Sequence, residues 1–160
     1  MLTDLDRGSL LEVAFDLPFV FVVPDLLYER ELRPYGGARL LDRGLHVAEL
    51  DGEGVDSALN FRRQRPSLSL ADAFALALAT EYRWVLLTGD RVLRNLAAAE
   101  GVVCHGLLWL LDQMSDTGVT DRRKLCAALK AISAHPRCRL PGAEVNKRLA
   151  RWEADRSLLT

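Results

Sequence analysis

Glu29, Asp72 and Asp90 are the residues of this 160-residue sequence best placed to do chemistry. Each falls where a strand-like run and a helix-like run meet. Glu29 comes after Phe19-Val20-Phe21-Val22-Val23, Asp72 opens an Ala/Leu-rich stretch, and Asp90 directly follows Trp84 to Thr88. Carboxylates brought together without a cation raise one another's pKa or repel. A hard divalent ion such as Mg²⁺ or Mn²⁺ removes that cost, because it prefers oxygen ligands and retains several waters. Such an ion can hold a phosphate oxygen, lower the pKa of an attacking water and stabilise the leaving oxygen.

Each acid also has a purely structural explanation. Ser69-Leu70-Ala71-Asp72 fits a helix-capping box. Asp90 fits an N-cap supported by the helix dipole, and Glu29 with Glu31 fits a solvated helix face. Other chemistries have less support. The sequence holds neither GxxxxGK[ST] nor GxGxxG, which argues against a nucleotide-binding α/β domain of another family. No Ser-His-Asp or Cys-His signature points to covalent hydrolysis. Cys104, Cys126 and Cys138 form an odd set without CxxC spacing, so neither a disulfide framework nor a zinc knuckle is indicated. Cys104 beside His105 reads as a small buried cysteine at a strand end rather than a metal ligand.

The elements that must position the acids alternate. Leu10, Leu11, Ala14 and Phe15 recur at helical spacing after Ser9, which is placed to cap them. Phe19 to Val23 suits a strand buried on both faces. Pro24 opens a helix reaching about Leu32, punctuated by Pro34-Tyr35-Gly36-Gly37. Strands are predicted at Leu45 to Leu50, Trp84 to Thr88 and Val102 to Cys104. Helices are predicted at Val55 to Arg63, Leu70 to Tyr82, Arg91 to Ala99, Leu107 to Met114, Arg122 to Ala134 and Ala143 to Trp152. Alternation of this kind predicts an α/β fold with a mainly parallel sheet, helices on both faces and the ligand site at the carboxyl ends of the strands.

Hydrophobic residues make up 49% and charged residues 27%, the balance of an ordinary globular protein, and the length fits one domain with a full core. The longest apolar runs are too short to span a bilayer, and the acidic N-terminus is unlike a signal peptide, so a cytoplasmic location is expected. Charge is uneven. Residues 1–119 carry 11 Lys/Arg against 18 Asp/Glu, whereas residues 120–160 carry 10 against 4. An acidic body with a basic tail suits a cation site beside a polyanion-binding surface. A solvated basic helix packed back on an acidic body explains the same asymmetry.

Ser67-Leu68-Ser69-Leu70-Ala71-Asp72-Ala73-Phe74-Ala75-Leu76-Ala77-Leu78-Ala79, followed by Leu86-Leu87-Thr88-Gly89-Asp90, resembles the second half of a PIN domain. Val22-Val23-Pro24-Asp25-Leu26-Leu27-Tyr28-Glu29-Arg30-Glu31-Leu32 is similar to the strand and helix that carry the family's glutamate. The similarity runs from about Leu2 to Gln113. It implies a three-layer α/β/α sandwich around a central, mainly parallel sheet over residues 1–118, with residues 119–160 as a basic helical extension. It also implies an Mg²⁺- or Mn²⁺-dependent endoribonuclease, with Glu29, Asp72 and Asp90 as metal ligands and catalytic acids. Glu31 is the substitute for Glu29, and Thr88 would orient the site through its hydroxyl. Arg62, Arg63, Arg65 and Arg91 are candidate phosphate contacts on charge alone. Many members are toxins of bacterial toxin–antitoxin pairs, and many dimerise. RNA is therefore the implied substrate, and an antitoxin protein and a second copy of the chain are the implied partners.

One departure from the family pattern stands out. The pattern begins with a strand ending in an aspartate, and Met1-Leu2-Thr3-Asp4-Leu5 resembles the tail of that pattern. The first aspartate is therefore expected upstream of Met1, or else the domain lacks its first strand and that ligand, with Asp4 or Asp6 as imperfect stand-ins. Losing one member of a cooperating site costs much activity. A non-catalytic, degenerate PIN-like module that binds RNA or protein is the competing reading. The helices spaced by Leu125, Leu129 and Ile132 and by Val145, Leu149 and Trp152 are amphipathic and expected to pack on the body.

Overall fold

Ser69 and Asp90 each end an extended segment and begin a helix by offering a side-chain oxygen to a backbone N–H. The computed structural model describes residues 1–154. These divide into two compact units, one of Phe19–His105 and one of Met1–Pro18 with the chain from Gly106 onward.

In the unit Phe19–His105, β1 (Val22–Pro24) pairs in parallel with β2 (His46–Ala48), in the register Val22↔His46, Val23↔Val47 and Pro24↔Ala48. β3 (Leu86–Leu87) pairs in parallel with β4 (Cys104–His105), Leu86 opposite Cys104 and Leu87 opposite His105. Among the described residues these are two separate two-stranded pairs. β1 leads into α2 (Asp25–Leu27), a π-helical turn over Tyr28–Leu32 and a 3₁₀ turn over Arg33–Tyr35. Then come α3 (Ala38–Asp42), α4 (Gly52–Gln64), α5 (Leu70–Tyr82) and, after β3, α6 (Arg91–Ala99).

The core of this unit forms around α5, which is apolar nearly all round, as a helix enclosed by neighbours must be. Ala71, Ala73, Leu76, Ala77, Leu78 and Ala79 are all buried. The small alanines let α4 approach closely, with Ala58 and Phe61 turned toward them, while Leu93, Leu96 and Ala97 of α6 join the same cluster. α5 also packs on both β1 and β3, so a single helix covers both strand pairs. It ends at Arg83, a non-glycine residue at φ +55°, with Trp84 N–H donating to the Ala79 carbonyl at 3.0 Å.

In the other unit, α1 (Leu2–Arg7), α7 (Leu107–Thr117) and α9 (Gly142–Ala154) pack on α8 (Arg122–Ser133). Leu125, Leu129 and Ile132 are fully buried, and so are Leu10, Leu111 and Met114. Gly8 lets α1 approach: a Cβ there would lie 3.0 Å from Ile132 Cδ1 and 3.1 Å from Ala128 Cβ. Asp112 of α7 binds Arg148 of α9 through both carboxylate oxygens, at 2.6 to 3.1 Å, and accepts from Arg151 at 2.8 Å. Burial works against the Arg148 charge, but the hydrogen bonds that it donates to Asp112 and Glu144 outweigh this and raise its pKa.

Several local expectations are corrected. Leu2–Arg7 is a helix, and Leu10 to Phe15 is not: only a 3₁₀ turn over Val13–Asp16 forms there. Ser9 is no cap for that segment. It terminates α1 instead, at φ +54°, with its N–H donating to the Asp6 carbonyl. The run Phe19 to Val23 is not buried on both faces, since Phe19 is 37% and Val20 73% exposed. The strand is short, Val22–Pro24, with one neighbour among the described residues, and Phe19 and Val20 lie before it. No helix among the described residues is long and apolar enough to cross a membrane.

Candidate functional site

The Asp90 loop is held by three backbone-anchored contacts. Thr88, buried, continues the β3 ladder through its N–H to the His105 carbonyl at 2.9 Å. Its Oγ1 accepts from the Asp90 N–H at 3.0 Å, and its carbonyl accepts from Arg94 Nη2 at 3.0 Å. Asp90 is then the N-cap of α6, its Oδ1 accepting from the Leu93 N–H at 2.8 Å. The carboxylate is exposed, and Oδ2 has no protein partner among the described residues.

Asp72 stands in the first turn of α5, half-buried. Ser69 Oγ caps the helix by accepting from the Asp72 N–H at 3.0 Å and donates to Asp72 Oδ2 at 2.7 Å. This is a variant of the capping box, since the acid is reached by the cap hydroxyl rather than by the cap N–H. Asp72 Oδ1 has no protein partner among the described residues. α5 and α6 pack on one another, so the two helices whose first residues are positioned by Ser69 and Asp90 are neighbours.

Glu29 stands apart in kind. It lies on the π-helical turn and forms an exposed ion pair with Arg33, Oε2 to Nη1 at 2.6 Å. That hydrogen bond, with the attraction of the Glu29 charge, raises the Arg33 pKa. Solvent screens a surface pair of this type, so it contributes little to stability. Glu31 is exposed on the same turn. No group of three or more His, Cys, Asp or Glu able to hold a metal ion forms among the described residues, so Glu29, Asp72 and Asp90 are not brought together as one such set.

Arg62 and Arg63 occupy the last turn of α4, where their charge complements the helix dipole. Arg65 bonds the Gln64 carbonyl at 2.9 Å, and Arg91 opens α6, exposed. Sequence reasoning passed over two residues. Arg94, one turn after Arg91, braces Thr88, and its charge lies close enough to Cys104 to oppose the upward shift that burial gives that thiol. Asp25 directly follows β1 and turns Oδ1 back to the Leu26 N–H at 2.7 Å. The spacing was legible, because an acid directly after an apolar strand is the pattern that singled out Asp90.

A search of curated proteins and a search of solved structures each return no match. A family model described as a PIN domain matches residues 1–154. The match covers nearly the whole sequence, and the chain belongs to the PIN-domain family.

Proposed function

We propose that this chain is an Mg²⁺- or Mn²⁺-dependent endoribonuclease, with Glu29, Asp72 and Asp90 as its acidic residues. PIN domains are usually nucleases and generally use divalent metal ions. The observation that carries the reading is the like placement of Asp72 and Asp90. Both sit in the first turn or cap of neighbouring helices, α5 and α6, and each keeps one carboxylate oxygen free of protein partners among the described residues. Oxygen donors of this kind suit a hard cation. In their present arrangement, however, the acids do not form a group of three able to hold one, and Glu29 is engaged by Arg33.

The protein's own contribution is positional. Thr88 fixes the Asp90 backbone, Arg94 fixes Thr88, and Ser69 fixes the Asp72 carboxylate. Arg62, Arg63, Arg65 and Arg91 would meet RNA phosphates. The reading includes a three-layer arrangement in which both strand pairs belong to one central sheet, supported by the packing of α5 on β1 and β3. It also includes the role of a cytoplasmic toxin, held by an antitoxin protein and active as a homodimer.

A non-catalytic RNA- or protein-binding PIN module is the second reading. The ungrouped acids, each with a structural partner, favour it. Cleavage of labelled single-stranded RNA with Mn²⁺, with Mg²⁺ and with EDTA decides between them. The nuclease reading requires cleavage that EDTA stops and that Asp72→Asn and Asp90→Asn each remove without unfolding the chain. Silence of the parent chain across a broad set of RNAs favours the module.

A further inference from the structure

The amino-terminal end of the β3/β4 pair carries exposed apolar side chains. Tyr82, Trp84 and Val85 lead into β3 and Val103 leads into β4, and all four are between 40% and 57% exposed. The Leu86 N–H donates to the Val103 carbonyl at 2.9 Å, so the two entry segments run side by side. The parallel register, Leu86 opposite Cys104, carried back by one residue sets Val85 opposite Val103. Tyr82 stacks on Trp84, with ring centroids 4.5 Å apart and planes 19° from parallel. Exposed large apolar side chains that gather at one place, rather than lie scattered, mark contact surfaces. Trp and Tyr are among the residues most enriched at the energetic centres of such surfaces.

Acids surround this group. The Tyr82 hydroxyl donates to Glu81, the largest cause of its raised pKa, and Asp51 lies close enough for its charge to add to the shift. Glu81, Asp51 and Glu100, which precedes the entry into β4, are exposed, and Arg83 is the one base between Glu81 and Val85. Asp51 caps α4, and Arg62 and Arg63 stand in the last turn of that helix, roughly 16 Å further along its axis. Arg91 opens α6, at the end away from Glu100. The arginines proposed to meet phosphate thus stand at the far ends of α4 and α6, and a polyanion approaching Trp84 would meet carboxylates instead.

We infer that this surface docks a basic segment of a partner protein, with an arginine or lysine on the Trp84 ring and an apolar side chain against Val85 and Val103. An aromatic ring attracts a cation through its face. The carboxylates of Asp51 and Glu81 add to that attraction and repel an acidic partner, which is how charge complementarity selects between partners. The inference stands on this surface alone and holds whether or not the chain cleaves RNA.

The test is fluorescence anisotropy of the full chain with a short fluorescein-labelled peptide in which arginine alternates with leucine. The parent should bind it and leave a glutamate/leucine peptide unbound. Trp84→Ala should weaken binding by about two- to fivefold, the range for one cation–ring contact at an exposed site. Asp51→Asn with Glu81→Gln should weaken it as well and flatten its salt dependence. Asparagine keeps the oxygen that caps α4, so this pair reports on charge even where Trp84→Ala disturbs the fold. Asp42→Asn with Asp116→Asn removes equal charge from α3 and α7 and should change little. Equal losses from the two acid pairs would mean diffuse attraction and overturn the docking surface. Binding of the glutamate/leucine peptide as strong as that of the arginine/leucine one would overturn it too, since apolar adhesion would then suffice. So would absence of peptide binding joined to either of two gains: oligouridylate binding in EDTA that Trp84→Ala removes, or self-association in sedimentation that Trp84→Ala removes. The first would make the rings a base-stacking platform, and the second would make the surface a contact with another copy of the chain. Failure of the parent to bind the basic peptide at low salt, with neither gain, would overturn the inference outright.

Discussion

Asp90 serves as a helix cap in the structure and as a metal ligand in the proposal, and two substitutions separate those roles. Its Oδ1 accepts from the Leu93 N–H at 2.8 Å, and the residue has the extended backbone of an N-cap, φ −78° and ψ 127°. Alanine removes that acceptor and should cost about 1 kcal/mol, within a span of roughly 0.5–2 for caps of this type. Asparagine retains an oxygen in the same place and caps about as well as aspartate. It loses only the attraction between charge and helix dipole, about 0.3–1 kcal/mol. For a chain of this length, 1 kcal/mol moves Tm by about 2–4 °C. Thermal unfolding followed by circular dichroism should therefore place Asp90→Ala lowest and Asp90→Asn between it and the parent. RNA cleavage should be absent in both. An Asp90→Asn chain as unstable as Asp90→Ala would refute the capping geometry. One that cleaves RNA normally would refute the assignment of the carboxylate to the site.

Three further outcomes are expected. Asp112→Ala strips Arg148 and Arg151 of their shared acceptor and should destabilise by about 1–3 kcal/mol; a denaturation double-mutant cycle with Arg148→Ala should return a clear coupling energy, and strict additivity would contradict it. Arg83→Gly relieves the left-handed conformation at the end of α5 and should stabilise by roughly 0.5–1 kcal/mol, read as a higher denaturant midpoint; a lower midpoint would show that Arg83 has another role. The hydrogen bond from Arg148, with the nearby charge of Lys147, holds the Glu144 carboxyl below its usual range. The Glu144 contribution is therefore present above the unfolded-state pKa and fades as pH falls through the folded one. Glu144→Gln should be less stable than the parent near neutrality and converge with it in acid. A gap that widens in acid would contradict the assignment.

What the sequence made legible follows the strength of local signals. α5 and α6 form over the residues their patterns predict, because Ser69 and Asp90 cap them and their apolar positions have helical spacing. α8 and α9 follow their amphipathic patterns to within two residues at each end. Strand-like composition was less reliable. Phe19 to Val23 reads as a doubly buried strand, yet burial depends on neighbours that local composition does not encode. Helix α3 has no side-chain cap and is only five residues long, too short for a helical period to show. Leu2–Arg7 is six residues long, has no side-chain cap and buries only Leu5, so its helix leaves no pattern of its own in the sequence. The acids were legible as positions but not as a constellation. Spacing finds the strand-to-helix junctions, while the approach of one junction to another depends on long-range packing.

The most direct test of the central proposal is cleavage of labelled single-stranded RNA by the parent chain and by Asp72→Asn and Asp90→Asn, with Mn²⁺ and with EDTA. The expected result is cleavage by the parent with Mn²⁺, none with EDTA, and none by either folded variant. Cleavage that persists in EDTA, or in both variants, would contradict it.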